Sequence, residues 1–537
     1  MSGALEVSAT GAAADAISAA VGGLVEERFA SRLFDRDATL WGPDAEPEAS
    51  VRLGWVGLHR TSRPLLGEIR ALRGELLDEG LDHVVLCGMG GSSLAPEVIC
   101  GTAGVELTVL DSSDPDQVRA AVSDRLDRTV VVVSSKSGST VETDSQKRVY
   151  EQAFRDAGIN PAGRFVIVTD PGSPLDKASR ESGYRVVNAD PEVGGRYSAL
   201  TAFGLVPSGL AGADVEALLD EADDVADLLA DDDEGNPGLR LAAAIAGTTP
   251  LRDKLAIVDD GSPLVGFADW AEQLIAESTG KQGKGILPVV VADPSDPEVQ
   301  WPANDVTVAR LVADSDEDVE AGDRPEVRVT GPLGAQLLLW EVATAAAGRL
   351  LGINPFDQPD VESAKKAARE VLEGTPEPDP PLFVDNGIEV RASGDFVGSA
   401  TTVAGAVQAL YEQLDRERGY VAVMAYLDRL AHADLAAVRR DIALRTERPT
   451  TFGWGPRFLH STGQLHKGGP AVGVYVQITG TPVEDLPIPG RAFSLGRFIA
   501  SQAAGDAAVL ADHDRPVLRL HLTDQAAGIP LLRQALA

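Results

Sequence analysis

The sequence predicts an α/β protein built on parallel sheets, and three observations carry that prediction. Apolar runs without alternation recur at 83–88 ("HVVLCG"), 129–135 ("TVVVVSS") and 164–170 ("RFVIVTD"), as in strands buried on both faces. Helical sequence separates them, which is the spacing of βαβ units and a parallel sheet. Two of the runs open at their carboxyl ends onto Gly- and Ser-rich turns ahead of a helix, the end at which open α/β sheets bind ligands.

Residues 1–75 read as helical, rich in Ala, Leu and Arg, with a Pro/Glu break at "WGPDAEPEAS". Strands "HVVLCG", "ELTVLD", "TVVVVSS", "RFVIVTD" and "YRVVNA" then alternate with helices in a first α/β domain, taken as 76–245. The acidic "EADDVADLLADDDEGNPG" marks its far boundary. A second α/β domain, 246–375, holds "KLAIVDD", "DVTVARLVADSD", "EVRVTG" and the helix "LGAQLLLWEVATAAAGRLLG". After the proline-rich "EGTPEPDPP", a C-terminal α/β region, 376–537, carries "AVGVYVQITG" and "PVLRLHLTD".

A chain of 537 residues exceeds one ordinary core, and several domains are expected. The net charge of -35 argues against nucleic acid and anionic membranes as partners. Cys87 and Cys100 are the only cysteines, so there is no disulfide framework, and a cytoplasmic setting is expected. No apolar run reaches membrane-spanning length, and residues 1–20 lack the basic start of a secretory signal.

Chemistry gathers at the two turns. In "GMGGSS", Gly90 and Gly91 let the backbone approach an anion, and Ser92 adds a hydroxyl ahead of a helix. In "SSKSGSTVET", Ser135, Lys136, Ser137 and Thr140 place donors and one ammonium at another strand end, where the first N–H groups of a helix are unpaired. One such turn alone could be a Ser/Thr cap without a ligand. Two on successive strands resemble the sugar isomerase domain, which implies a doubly wound parallel sheet holding a sugar phosphate.

"GMGGSS", "SSKSGSTVET", "GGRYSALTAFGL", "EQLIAESTGKQGKG" and "NPFDQPDVESAK" together resemble phosphoglucose isomerase, in the order that family uses. The resemblance implies two doubly wound sugar isomerase domains and interconversion of glucose 6-phosphate and fructose 6-phosphate without metal or organic cofactor. It implies a phosphate cradle at Ser92, Ser135, Lys136, Ser137 and Thr140, and a proton-carrying base at Glu277. Arg196 would steady the enediolate, with Gln358 and Lys365 near the sugar ring. The family's ring-opening histidine is missing between Glu277 and Gln358, since all seven histidines are His59, His83, His432, His460, His466, His513 and His521. Only "GWGPRFLHSTGQLHKGGP" sets histidines among glycines, making His460 the first candidate and His466 the second. That segment is also similar to the isomerase half of actinobacterial transaldolase–phosphoglucose isomerase fusions, without the transaldolase barrel. The family brings its histidine from a neighbouring subunit, which implies a homodimer whose C-terminal regions cross over. A wider scope including mannose 6-phosphate, or a non-catalytic sugar-phosphate sensor, are the alternatives. A sensor would have no use for Glu277, Arg196, Gln358 and Lys365 together. No Cys/His/Asp grouping has the spacing of a metal site.

Overall fold

The computed structural model describes residues 4–313, 322–360, 366, 369, 372 and 380–537. Its first strand, β1 (Glu6–Thr10), is followed by helices 11–26 and 64–78. The N-terminal segment is thus not wholly helical. A five-residue "EVSAT" carries little strand signal of its own, and it forms because the edge of a later sheet offers a partner.

Three sheets follow. Strands β2 (His83–Gly88), β3 (Thr108–Leu110), β4 (Thr129–Ser134), β5 (Phe165–Thr169) and β6 (Arg185–Asn188) form one, all parallel, in the order β3-β2-β4-β5-β6. Strands β7 (Lys254–Asp260), β8 (Leu287–Val291), β9 (Val306–Val312) and β10 (Glu326–Thr330) form the second, in the order β8-β7-β9-β10. β1 closes its edge antiparallel to β10, Val7 opposite Val329. Both orders place the second strand outside the first, which is doubly wound topology with a switch point between the first and third strands.

The C-terminal region contains a parallel core of the same order. A hairpin of β11 (Phe383–Asp385) and β12 (Ile388–Ala392) precedes β13 (Tyr420–Tyr426), β14 (Thr450–Trp454), β15 (Gly473–Gly480) and β16 (Val517–Leu522). The parallel order is β14-β13-β15-β16, with β12 antiparallel on β16.

Burial follows the sequence. The four valines Val130–Val133 are at most 1% exposed, as a strand covered on both faces requires. Side chains of the first two sheets and the N-terminal helices share one apolar cluster. The C-terminal region covers a face of the second sheet: Tyr420, Met424, Tyr426 and Tyr475 join Ala256, Val258, Val289 and Val308. Buried ion pairs bolt the same junction, with Arg439 on Asp296 and Glu298 and Arg448 on Asp305. Among the described residues no helix is long and apolar enough to cross a membrane.

Candidate active site

The two predicted turns lie on adjacent strands, β2 and β4, at the switch point of the first sheet. After β2 the chain makes a tight turn at Gly90–Ser92 before the helix Leu94–Ala103. Gly90 has φ +56°, and a Cβ there would lie 2.7 Å from Gln273 Nε2 and 3.2 Å from the His460 carbonyl oxygen. A Cβ on Gly91 would fall 1.8 Å from the Gly195 carbonyl oxygen. Glycine is therefore required because the Gly195–Arg196 turn and the His460 turn both close down on this backbone.

The second turn is tied by its own hydroxyls. Gly138 N donates to Ser135 Oγ at 3.2 Å, Ser135 Oγ lies 3.3 Å from Thr140 Oγ1, and Ser137 Oγ lies 2.7 Å from Ser139 Oγ. Thr140 precedes the helix Val141–Asp156 without capping it by its side chain. Lys136 does not stand alone over the turn. Its Nζ lies 3.0 Å from Asp170 Oδ2 and donates to the Pro191 carbonyl at 3.0 Å. Burial outweighs that ammonium and raises the Asp170 carboxyl above its ordinary value.

Glu277 sits in the last turn of the helix Phe267–Thr279, its side chain 12% exposed. Gln273, one turn earlier, donates Nε2 to Glu277 Oε2 at 3.1 Å and to the His460 carbonyl at 2.8 Å. The Arg196 guanidinium is buried, with Nη1 3.5 Å from Glu277 Oε1. It donates Nε to Ser278 Oγ at 2.8 Å, Nη1 to Gln358 Oε1 at 2.7 Å and Nη2 to the Pro355 carbonyl at 2.7 Å. A planar fork suits this role, because it holds several acceptors in fixed directions. Lys281, buried beside it, donates to the carbonyls of Asn354 at 2.7 Å and Asp357 at 2.5 Å. Burial, then the Arg196 charge, pulls its ammonium down to about 8. Lys365 lies outside the described residues.

His460 reaches this cluster from the C-terminal region of the same chain. It ends the turn Arg457–His460, and the following helix Gly463–Gly468 lies directly on Gly280, where a Cβ would meet Leu465 at 2.4 Å. His460 Nε2 lies 3.2 Å from Glu142 Oε1, which also accepts from Gln502 Nε2 at 2.7 Å. Within the single chain the fold brings the histidine to the turn after β2. A buried clasp fixes the approach, with Arg457 and Arg429 both contacting Glu97 and Asp111. Against its burial, Arg457 and Arg429 hold the Glu97 carboxyl down at about 2.

The second histidine is not brought here. His466 is 2% exposed, its ring stacked on Tyr420 and its Nδ1 3.0 Å from the Tyr420 hydroxyl. Burial lowers its pKa well below the ordinary value, and it packs as a core residue among Tyr420, Tyr475 and Phe458.

Sequence reasoning passed over Glu142, Gln273, Lys281 and Gln502. Glu142 and Gln273 stand inside quoted motifs, and Lys281 lies between glycines four residues after Glu277. The N-terminal segment contributes backing: Trp55 stacks on Tyr197 at 5.0 Å, and Trp41 packs edge-on to Phe356 at 4.8 Å.

This fold and this juxtaposition of a carboxylate, a buried guanidinium and two hydroxyl-rich turns are those of an α/β isomerase. No family model matches the chain. It is 30% identical over 341 residues to the "Probable glucose-6-phosphate isomerase" of Natronomonas pharaonis, a match spanning 55% of this chain and 79% of that protein. A Synechococcus glucose-6-phosphate isomerase is 27% identical over 64% of this chain and 80% of its own. The crystal structure of a glucose-6-phosphate isomerase from Chlamydia trachomatis superposes with a TM-score of 0.52 at 20% identity, covering 66% of this chain and 85% of that one, and supports the fold. The chain belongs to the glucose-6-phosphate isomerase family.

Proposed function

We propose that the chain interconverts glucose 6-phosphate and fructose 6-phosphate through a cis-enediolate. The observation that carries this reading is the Glu277 carboxylate, held by Gln273 Nε2 at 3.1 Å and flanked by Arg196 Nη1 at 3.5 Å, beside the turn that His460 meets.

The phosphate docks on Ser92, Ser135, Lys136, Ser137 and Thr140 at the two strand ends. His460, steadied at Nε2 by Glu142, keeps Nδ1 for the ring oxygen and opens the pyranose, with Gln358 and Lys365 beside the ring. Glu277 then lifts the C2 proton of the open aldose and returns it to C1, one base serving both adjacent carbons. Negative charge that develops on the enediolate oxygens is met by the fixed guanidinium of Arg196, which needs no reorganisation during reaction. The family relationship and this set of acid–base groups both favour catalysis over mere sensing.

The test is an assay of the purified full chain on glucose 6-phosphate with a chelator present. Turnover should persist, and Glu277→Gln should abolish it, as loss of general base catalysis is worth about 10²–10⁴ in rate. Undiminished turnover in Glu277→Gln would refute the assignment of the base.

A further inference from the structure

The C-terminal region reaches the candidate site by a second route. Its long helix, Leu495–Asp512, carries Gln502, which is 4% exposed although it sits in an alanine-rich stretch with no motif around it. Both ends of the amide are engaged. Nε2 donates to Glu142 Oε1 at 2.7 Å, and Oε1 accepts from Ser113 Oγ at 2.5 Å, on the segment after β3. Glu142 Oε1 is the atom that lies 3.2 Å from His460 Nε2. A carboxylate only accepts hydrogen bonds, so the amide must turn its NH₂ to Glu142, and Ser113 locks it in that sense. Four side chains thus form one hydrogen-bonded run, buried but for the partly exposed His460: Ser113, Gln502, Glu142, His460.

We propose that Gln502 is a positioning residue for the isomerisation. It fixes the Glu142 carboxylate, and through it the plane of the His460 ring. The inference rests on the reading of His460 as the ring-opening group, and it deepens that reading. The C-terminal region holds the histidine from both sides, by the turn that bears it and by the amide that orients its carboxylate partner. Misplacing a reacting group by about 1 Å can cost on the order of 10²-fold in rate.

The experiment uses the full chain and two substrates: cyclic glucose 6-phosphate, and an open-chain aldose phosphate analogue that cannot close to a pyranose. Gln502→Met keeps the side chain's size and removes both hydrogen bonds. It should lower kcat on the cyclic sugar by roughly ten- to a hundredfold, with KM within about twofold and hydrogen exchange on the open-chain analogue within about twofold. Gln502→Glu keeps an acceptor for Ser113 but sets a carboxylate against Glu142, and it should be impaired at least as much as Gln502→Met. A wild-type rate in Gln502→Met or Gln502→Glu overturns the proposal, and so does an equal loss on both substrates, which would make Gln502 merely structural. His460→Ala, measured alongside, separates the two levels. If it opens the ring normally, the reading of His460 falls. If it is defective while the Gln502 variants are not, only the positioning role falls. Should the Gln502 variants fail to fold, Ser113→Ala frees the amide's other end and should give a smaller loss confined to the cyclic sugar; a full rate there overturns the proposal too.

Discussion

Lys281 should move activity and stability in opposite directions as pH rises, and Lys281→Met should remove both trends. The ammonium is about 1% exposed and bonds the Asn354 carbonyl, the Asp357 carbonyl and Asp357 Oδ1 at 2.5–2.7 Å. It therefore pins the segment that carries Gln358, next to Arg196. Burial first, and the Arg196 charge second, bring its pKa from 10.5 to about 8. That gap of two to three units is worth about 3 kcal/mol. Below pH 8 the lysine is protonated in both folded and unfolded chains, and the cost of burying the charge is present in full. Between about 8 and 10.5 the unfolded chain keeps the proton and the folded chain does not, so stability rises with pH. Activity should go the other way, because a cation beside the site is lost as the native lysine gives up its proton. The wild-type profile of kcat/KM should bend down near pH 8. Lys281→Met should be slower below pH 8, by about ten- to a hundredfold on the scale of one lost charge-assisted hydrogen bond, and should lack that limb. Urea titrations from pH 7 to 10.5 should show the wild type gaining up to about 3 kcal/mol on the variant. An alkaline limb near pH 8 that survives in Lys281→Met, or a stability difference that is flat or falling with pH, would refute the reasoning.

Three further outcomes are expected. Lys136→Ala and Thr140→Ala should each raise KM about ten- to a hundredfold, the roughly 1.5–3 kcal/mol of a charge-assisted contact, and weaken competition by inorganic phosphate; unchanged KM in both would remove the cradle from this turn. Gly91→Ala puts a methyl 1.8 Å from the Gly195 carbonyl, so it should cost about 1–3 kcal/mol by overpacking and displace Arg196, seen as a lower kcat at a reduced melting temperature; a fully active variant would show that the Gly195–Arg196 turn can retreat. Mixing Glu277→Gln with His460→Ala chains should restore no activity, since Gln273 bonds the His460 carbonyl within one chain, and recovery after subunit exchange would show that the C-terminal regions swap.

The two turns were legible because their chemistry is local: glycine for close approach, small hydroxyls at a strand end, a helix start. Glu277 and Arg196 were legible only as members of an ordered set, since no local pattern separates them from surface charges. His460 and His466 show where sequence stops. They are six residues apart in the same glycine-rich setting, and only the fold separates them. The turn Arg457–His460 faces the first sheet's domain, whereas the helix after it directs His466 inward against Tyr420 and Tyr475. The C-terminal parallel core was only partly legible because the all-apolar run of β13 reads equally as a buried helix segment and β14 is only five residues long. β1 was illegible for a related reason: its pairing residues, such as Val329, lie more than three hundred positions away.

How a chain of net charge -35 accommodates a phosphorylated sugar is a matter of short distances. At physiological salt the far charges are screened over about 8 Å, so the groups at the turns decide. Each nearby cation already has an anionic or carbonyl partner: Lys136 has Asp170 and Pro191, Lys281 has Asp357, and Arg196 has Glu277 and the Pro355 carbonyl. The site is therefore close to neutral before substrate arrives, and no bare cation must be stabilised in the apolar surround. Burial raises the Asp170 carboxyl above its ordinary value even with Lys136 beside it, so its charge is less favourable there than in water. In the proposed function a phosphate entering at Ser135 and Thr140 would compete with Asp170 for the Lys136 ammonium, whereas Arg196, fixed by four hydrogen bonds to Ser278, Gln358, Pro355 and Asp357, would stay in place for the charge that forms during reaction.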